Sequence, residues 1–572
     1  MRNRKLKTAL LSSAALIAAA TTLTSTGSIA GDSLAAELSP VVSLLDDVAS
    51  TSSKKTAAVN PDTLTTKTPI KHIVVIFNEN ESFDHYFGTY PNATNVDGEP
   101  RFEPAKNTPT NINNLLTSPA LLDNNPNLNP LNGTGATNPF RLDRTQANTA
   151  DQSHSYSPEQ KAYDNGKVDL FPLNTGSGTS GGAGAFGNKG QVMGYFDGNT
   201  VTALWNYAQN YAMSDNAYGD QFGPSTPGAI NMFAGQTNGF TQVVGTGSSN
   251  FLANSDGSFT LIGDVDPARD TCSSTSATGA SSAKNIGDLL NAAHISWGGF
   301  MGGFNIGVTN ANGTTGCGRS TVSATVGETV GDYVPHHNWF QYFASTANPT
   351  HARPAVEQDV GYTFQHNGAV DPANHEYDLR DLLEAVKVGY LPAVSYVKLP
   401  AYQDGHAGYS DPLDEQAGLV QVINSIQRSP MWANTAIIVA WDDSDGWYDH
   451  AYAKPTNPSY SAADLLNGTA TCGTGAERVG LSQQPVNGRC GPGTRIPFLV
   501  ISPWAKQNYV DSTRISQASV VQFIEYNWLS GRRLGGGSFD ISSGAINAMF
   551  NFSGHGNTPE LLLNPTTGES LN

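Results

Sequence analysis

Residues 73–77 read Ile-Val-Val-Ile-Phe, and the chain then turns polar without transition into Asn78-Glu79-Asn80-Glu81. A short apolar, mostly β-branched run of this kind predicts a strand buried on both faces, which calls for a parallel sheet covered by helices. Sheets of that class bind ligands just beyond the carboxyl ends of their strands, so Glu79 and Asn80 stand where a metal or substrate is expected. The competing reading of the same residues is an ordinary turn cap. The pattern occurs again at residues 435–441, an apolar segment running directly into Asp442-Asp443-Ser444-Asp445. If both segments lie in one sheet, Glu79, Asn80, Asp442 and Asp443 gather at one edge. Such hard oxygen donors suit Mg, Ca or Mn, while Zn and Fe also accept carboxylates.

Further buried-strand patterns fall at 294–297, 393–397 and 497–502. A helix is predicted over 376–388 from Leu379, Leu382, Leu383 and Val386, and another from Leu419, Val422, Ile423 and Ile426, with Asp411 as its cap and Pro412 in its first turn. Strands alternating with helices predict an α/β fold, a three-layer α/β/α sandwich around a mainly parallel central sheet.

The first residues are not read as part of it. Arg2, Arg4, Lys5 and Lys7 precede an apolar run over 9–20, and Ser28-Ile29-Ala30 offers a small-x-small cleavage site. Residues 1–30 thus read as a signal peptide and 31–66 as a flexible Ser/Thr/Ala-rich leader. Residues 67–572 form the domain, with loop insertions at about 105–150, 174–190, 244–286 and 455–494. No later apolar run is long enough to span a bilayer, so an exported protein, periplasmic or secreted, is expected. Export permits disulfides. Four cysteines, Cys272, Cys317, Cys472 and Cys490, allow three pairings, of which the local one, 272 with 317 and 472 with 490, is the simplest. The formal charge is −18, and loss of the four leading cations would make it −22. Such a surface argues against nucleic acid as a partner, and a phosphate ester would need a locally positive site, such as a metal.

Gly223-Pro224-Ser225-Thr226-Pro227 suits a helix start, which places Ser225 at the positive end of a helix, either as an anion-binding group or as a simple cap.

The run Glu79-Asn80-Glu81-Ser82-Phe83-Asp84-His85-Tyr86-Phe87-Gly88 resembles the ENxSFDHYFG signature of a bacterial phosphoesterase family. Its members are acid phosphatases and phosphatidylcholine-hydrolysing phospholipases C with an alkaline-phosphatase-like fold. Other elements follow in the family's order. Ser225 lies in a segment similar to its nucleophile loop, which tends to carry Ser in the acid phosphatases and Thr in the phospholipases. The segment from Trp441 to His450 is similar to Y-D-E-x-G-G-F-Y-D-H, with Trp441, Asp443 and Asp445 departing toward the acid phosphatase branch. His336-His337 resembles the family's paired histidines, His406 its phosphate-contacting histidine (followed here by Ala407, not Pro), and Asp151-Gln152-Ser153-His154 its D-x-x-H element. Gly536-Gly537-Ser538-Phe539-Asp540 and Met549-Phe550-Asn551-Phe552 resemble its closing motifs.

The resemblance implies a secreted, metal-dependent acid phosphatase hydrolysing phosphate monoesters. Glu79, Asn80, Asp442, Asp443 and Ser225 would hold a divalent cation, Ser225 would be the nucleophile, and His406 or His154 would assist the leaving group. His336, His337 and His406 would bind substrate, while Asp445, Asp449 and His450 would orient their loop. Substrates would be small phosphorylated molecules, phospholipid head groups among them, and charged histidines imply an acidic optimum. The alternatives are a phospholipase C acting on phosphatidylcholine and, from another class, a secreted binding module held by structural calcium. A sulfatase is disfavoured because no C/S-x-P-x-R element lies near the acidic strand ends, and repeated D-x-D-x-D-G calcium loops are absent from the sequence.

Overall fold

The apolar run that opens the sequence becomes the middle of the sheet. The computed structural model describes residues 59–571 apart from 118–119, 179–187, 245–249, 555 and 557. The expected signal peptide and most of the expected leader lie outside the described residues, and Lys55–Asn572 forms one compact unit. Strands β1 (His72–Asn78), β2 (Ala212–Ser214), β3 (Trp297–Met301), β4 (Glu376–Asp378), β5 (Val394–Lys398), β6 (Thr435–Trp441), β7 (Phe498–Ile501) and β8 (Tyr509–Asp511) make one sheet, in the order β4-β3-β5-β1-β6-β7-β2-β8. Within this sheet only β7 runs against its neighbours. Every residue of β1 and β6 is buried, as two-sided coverage requires.

The covering layers follow from strand alternation, because adjacent residues of β1 point to opposite faces. Phe77 packs on Trp339, 4.0 Å between ring centroids, which in turn contacts Phe233 of helix α2 (Ser225–Ala234). On the other face Asn78 Nδ2 donates to Glu415 Oε1 (2.6 Å) of helix α4 (Pro412–Gln427). Helix α3 (Leu379–Lys387) packs on α4, and α5 (Ala518–Trp528) packs on α2. The α/β/α sandwich is therefore present.

Three details differ from the sequence reading. The strand expected over 294–297 begins at Trp297 and extends to Met301; His294 is exposed with φ of 56°. Gly298 and Gly299 belong inside it because a Cβ at Gly299 would come within 2.6 Å of the Phe340 ring, so the missing side chain admits an aromatic onto the strand. The helix expected over 376–388 begins only at Leu379; Asp378 caps it by accepting from Arg380 N–H, and the three residues before form edge strand β4. Within 244–286, expected as a loop insertion, lie strands of a second, five-stranded sheet, including the hairpin of Phe251–Ala253 and Phe259–Leu261. The disulfides are the local pairs, Cys272–Cys317 and Cys472–Cys490. Among the described residues no helix is long and apolar enough to cross a membrane.

Helix α1 (Phe83–Phe87), which starts five residues beyond β1, is clamped to the loop after β6 by a fully buried arginine. Arg495 Nε donates to both oxygens of Asp449 (3.1 and 3.2 Å), Nη2 to Asp84 Oδ1 (3.0 Å), and Nη1 to the carbonyls of Asn113 (2.6 Å) and Asp215 (2.8 Å). Asp84 also accepts from the His450 N–H (2.7 Å) and pairs with its Nδ1 (2.6 Å). Burial raises the Asp84 carboxyl pKa, but His450 and Arg495 outweigh it and hold the group below the usual range. Arg495→Met, which leaves two buried carboxylates without their cation, is expected to cost about 3–5 kcal/mol. Arg495→Lys should recover only part, since a point charge cannot reproduce the forked donors. Denaturant midpoints of the two variants check this.

Candidate active site

Asn78 and Trp441, the last residues of β1 and β6, are register partners, so Glu79 and Asp442 leave the sheet at the same level. The loops that follow are then laced together. Asp442 N–H donates to Asn78 O (3.2 Å), Glu81 N–H to Asp443 O (3.0 Å), and Asn80 N–H to Asp442 Oδ1 (3.0 Å). Asn80 has φ of 67°, a conformation that asparagine tolerates better than most residues.

Ser225 is the first residue of α2, with Pro224 as N-cap, so Pro227 falls at the third helical position rather than the first. The helix reaches the acidic edge because Gly228 has no side chain: a Cβ there would sit 1.9 Å from Asp442 O. Ser225 Oγ thus lies 2.8 Å from Glu79 Oε2, 3.1 Å from Asn80 Oδ1 and 3.1 Å from Asp443 Oδ2. A hydroxyl has one proton, so it cannot satisfy three acceptors.

The charge around it is equally unbalanced. Glu79, Asp404, Asp442, Asp443 and Asp445 are all buried, and Asp442 Oδ2 has no hydrogen-bond partner among the described residues. Burial, reinforced by Glu79, pushes the Asp442 carboxyl up, and burial above all raises Asp443 to about 8. The lysine that answers them was not anticipated from the sequence. Lys398, the last residue of β5 and buried like its strand, pairs with Glu79 and stands 3.9 Å from Asp442 Oδ2. Burial lowers its pKa, but Glu79 and Asp442 outweigh it and hold the amine above its usual range. For Glu79 burial is likewise outweighed, by His337 and then Lys398, and the carboxyl is held well below the usual range. In the sequence Lys398 only closes the apolar run of β5; what gives it a role is the pairing of β5 with β1.

Excess oxygen acceptors and carboxylates kept from ionising are the surroundings a divalent cation fits. Glu79, Asn80, Asp442, Asp443 and Ser225 are the residues that would hold it. His337 also belongs to this cluster. Its Nδ1 lies 3.4 Å from Glu79 Oε1 and 3.5 Å from Asp404 Oδ2, and burial above all, which the pull of Glu79 does not overcome, holds the ring well below the usual histidine range. Asp404 was also absent from the sequence-derived set. His336 stacks edgewise on His337 at 4.6 Å, but its Nδ1 lies 3.5 Å from Asp266 on the small sheet; burial lowers its pKa, while Asp266 and Asp264 raise it further.

His154 and His406 stand side by side, 5.8 Å between centroids, in opposite protonation environments. His154 Nδ1 is 2.9 Å from both Gln152 O and Asp445 Oδ1. Burial opposes its charge, yet Asp443 and Asp445 prevail and hold it well above the usual range. His406 Nδ1 is 2.7 Å from Ala407 O, and burial, the largest influence, lowers its pKa. Asp445, besides His154, accepts from Asn80 Nδ2 (3.2 Å) and Gln152 N–H (3.2 Å), so it braces a candidate ligand. Asp449 and His450 lie in the Arg495 clamp.

The Phosphoesterase family matches residues 70–529. The chain is 24% identical to the non-hemolytic phospholipase C of Burkholderia pseudomallei, covering 80% of this chain and 55% of that protein. It is 23% identical to the hemolytic phospholipase C of Pseudomonas aeruginosa, covering 88% and 59%. The chain thus spans little more than half the length of these relatives. Murine ectonucleotide pyrophosphatase/phosphodiesterase 5 superposes with a TM-score of 0.28 at 12% identity, covering 61% of this chain and 95% of that one.

Gly228→Ala is expected to push α2 off the strand end and weaken divalent-cation binding on the order of tenfold or more, a loss of about 1.4 kcal/mol or greater. Calorimetric titration with Mg, Ca, Mn and Zn checks it, with far-UV circular dichroism to confirm the retained fold.

Proposed function

The chain belongs to the phosphoesterase family, and from that premise we propose that it is a divalent-metal-dependent hydrolase in which Ser225 Oγ attacks phosphorus and a phosphoserine is then hydrolysed. The observation that carries this reading is the convergence of Glu79, Asn80 and Asp443 oxygens within 3.1 Å of one serine hydroxyl. A serine is a weak nucleophile unless its proton is drawn away, and carboxylate acceptors crowded on Oγ do that. A cation held by Glu79, Asn80, Asp442 and Asp443 would neutralise phosphoryl charge and lower the pKa of Ser225.

The two histidines divide the proton traffic. His154, held as an imidazolium by Asp443 and Asp445, donates to the leaving oxygen; its Nδ1 is engaged, which leaves Nε2 for substrate. His406 is held neutral and spends its Nδ1 proton on Ala407 O, which leaves Nε2 to accept a proton from water in the second step. The expectation that either histidine could serve as the acid thus narrows to His154.

Monoester hydrolysis is the first reading, supported by serine at 225 and by the departures at Trp441, Asp443 and Asp445. A phospholipase C acting on phosphatidylcholine is the second, favoured by the names of the relatives. Relative rates on p-nitrophenyl phosphate and p-nitrophenylphosphorylcholine decide between them. Export is part of the proposal, supported by the leading cationic and apolar segments and by two disulfides.

Ser225→Ala is expected to lower kcat on the order of 10³-fold or more with the circular dichroism spectrum retained; near-normal turnover would end the covalent scheme. The pH profile follows from His154. Its raised pKa means that the active, protonated form is present at low pH and lost only as pH rises through that raised value. The alkaline limb of kcat/KM should therefore lie above the ordinary histidine value of about 6.5, and should disappear in His154→Asn.

A further inference from the structure

The chain has 49 acidic and 31 basic side chains, so carboxylates are plentiful, yet one region gathers arginines that meet none. A cleft of ≈ 330 Å³ lies where the segment just before α5, the Phe539 segment of the closing motif and the insertion at 455–494 come together. Arg478, half-buried, and Arg514, exposed, both line it. The Phe539 ring, also in its lining, carries Arg489 at 3.9 Å and Arg478 at 5.3 Å. Among the described residues these arginines are answered only by neutral acceptors. Arg478 Nη1 donates to Asn457 Oδ1 (3.0 Å) and Ser542 Oγ (2.8 Å), and its other nitrogens are uncommitted. The buried Arg489 donates to the carbonyls of Val479 (3.3 Å), Gly235 (3.5 Å) and Gly537 (2.8 Å), and its Nε has no partner. Arg514 makes no hydrogen bond or ion pair there. The carboxylate in the lining, Asp220, is buried and spends Oδ2 on the Ala518 N–H (2.7 Å) at the start of α5. Burial first, then repulsion from Arg478, lowers the Arg489 pKa to about 9, so the cluster lacks negative charge.

We propose that this cleft is a second, non-catalytic site that binds a phosphate group through Arg478 and Arg514. Guanidinium presents a planar fork of donors that matches the oxygens of a tetrahedral oxyanion, and the free donors of Arg478 and Arg514 are available for it. The hydroxyls of Ser516, Ser542 and Ser543 lie in the same lining and suit the same oxygens. A space of ≈ 330 Å³ is far more than a monatomic ion fills and falls at the lower end of small-molecule sites. An anion held there would also offset the mutual repulsion of Arg478 and Arg489, which nothing else in the cleft does. The lining includes none of Glu79, Asn80, Ser225, Asp442 and Asp443, so the site is independent of the hydrolytic mechanism. The phosphate can be free or carried on a lipid head group, and the recognising chemistry is the same for both.

The test is equilibrium binding of inorganic phosphate to the full chain. Wild type is expected to bind a phosphate equivalent that Arg478→Gln/Arg514→Gln weakens by about tenfold or more, with the circular dichroism spectrum retained. Over the same pair, kcat/KM for whichever p-nitrophenyl ester is hydrolysed, and its competitive inhibition by phosphate, should stay as in wild type, because both report the Ser225 edge. Arg514→Lys, which keeps the charge and loses the fork, should retain part of the affinity. Should the double variant fail to fold, Arg514→Gln alone, at an exposed position, is expected to weaken the same equivalent. Sedimentation with phosphatidic acid vesicles that is lost in the double variant would place the phosphate on a lipid; phosphate binding without sedimentation would make it a free anion. Phosphate binding unchanged in these variants, or no equivalent beyond the one that competes with substrate, would overturn the second site and leave the Ser225 mechanism standing.

Discussion

Five carboxylates buried at one edge of a sheet cannot all be ionised without compensating charge, and the architecture around that edge is arranged to supply it. Moving a carboxylate out of water costs several kcal/mol even after relaxation, and Glu79, Asp404, Asp442, Asp443 and Asp445 are buried together. Lys398 answers Glu79 and His154 answers Asp445. Those two cations are not enough: burial still holds Asp404, Asp442, Asp443 and Asp445 above their usual range. A site so short of positive charge is stable only partly protonated or with a cation bound, which couples any cation binding to the stability of this edge.

The pieces that assemble this edge come from distant places in the chain. Parallel register brings Glu79 level with Asp442. A glycine at 228 lets the serine helix come in. At the far end of that helix the closing motif takes over: Phe539 N–H donates to Gly235 O (2.7 Å), and Arg489 lies over the Phe539 ring at 3.9 Å. The closing motif therefore supports the far end of α2 and does not touch the chemistry.

Much of this was legible in the sequence because its signal was local. An apolar run ended by acids marks a strand entering a ligand edge, and both such runs proved to be adjacent strands. Asp411 and Pro412 marked a helix start that the structure reproduces, with Asp411 accepting from the N–H groups of Leu413 (2.8 Å) and Asp414 (3.1 Å). What was not legible depends on contacts distant in sequence. Gly299 looks like a strand breaker until the Phe340 ring, 41 residues on, is seen to need its space, and Gly298 until the Phe300 and Tyr377 rings are. Lys398 looks like a strand-end solubilising residue until β5 is known to lie beside β1. Asp378 falls inside the helix expected over 376–388, yet its short acceptor takes the Arg380 N–H (3.0 Å) and makes it the cap instead.

Glu159 shows how far this coupling extends. It sits on the helix Tyr156–Tyr163, has no place in the family motifs named above, and is buried with its carboxyl raised to about 7, chiefly by burial. One oxygen accepts from Gly223 N–H (2.8 Å), two residues before Ser225; the other accepts from Ser444 Oγ (2.7 Å), one residue after Asp443. A single side chain thus spans the serine loop and the carboxylate loop from behind, while Ser225 and Asp443 meet in front. Removing either contact would free one loop relative to the other, and a misplacement of about 1 Å at a reacting atom is enough to cost on the order of 10²-fold in rate. The helix that carries Glu159 begins at Tyr156, two residues after His154. The positions of His154, Ser225 and the acidic edge are therefore all referred to one short helix.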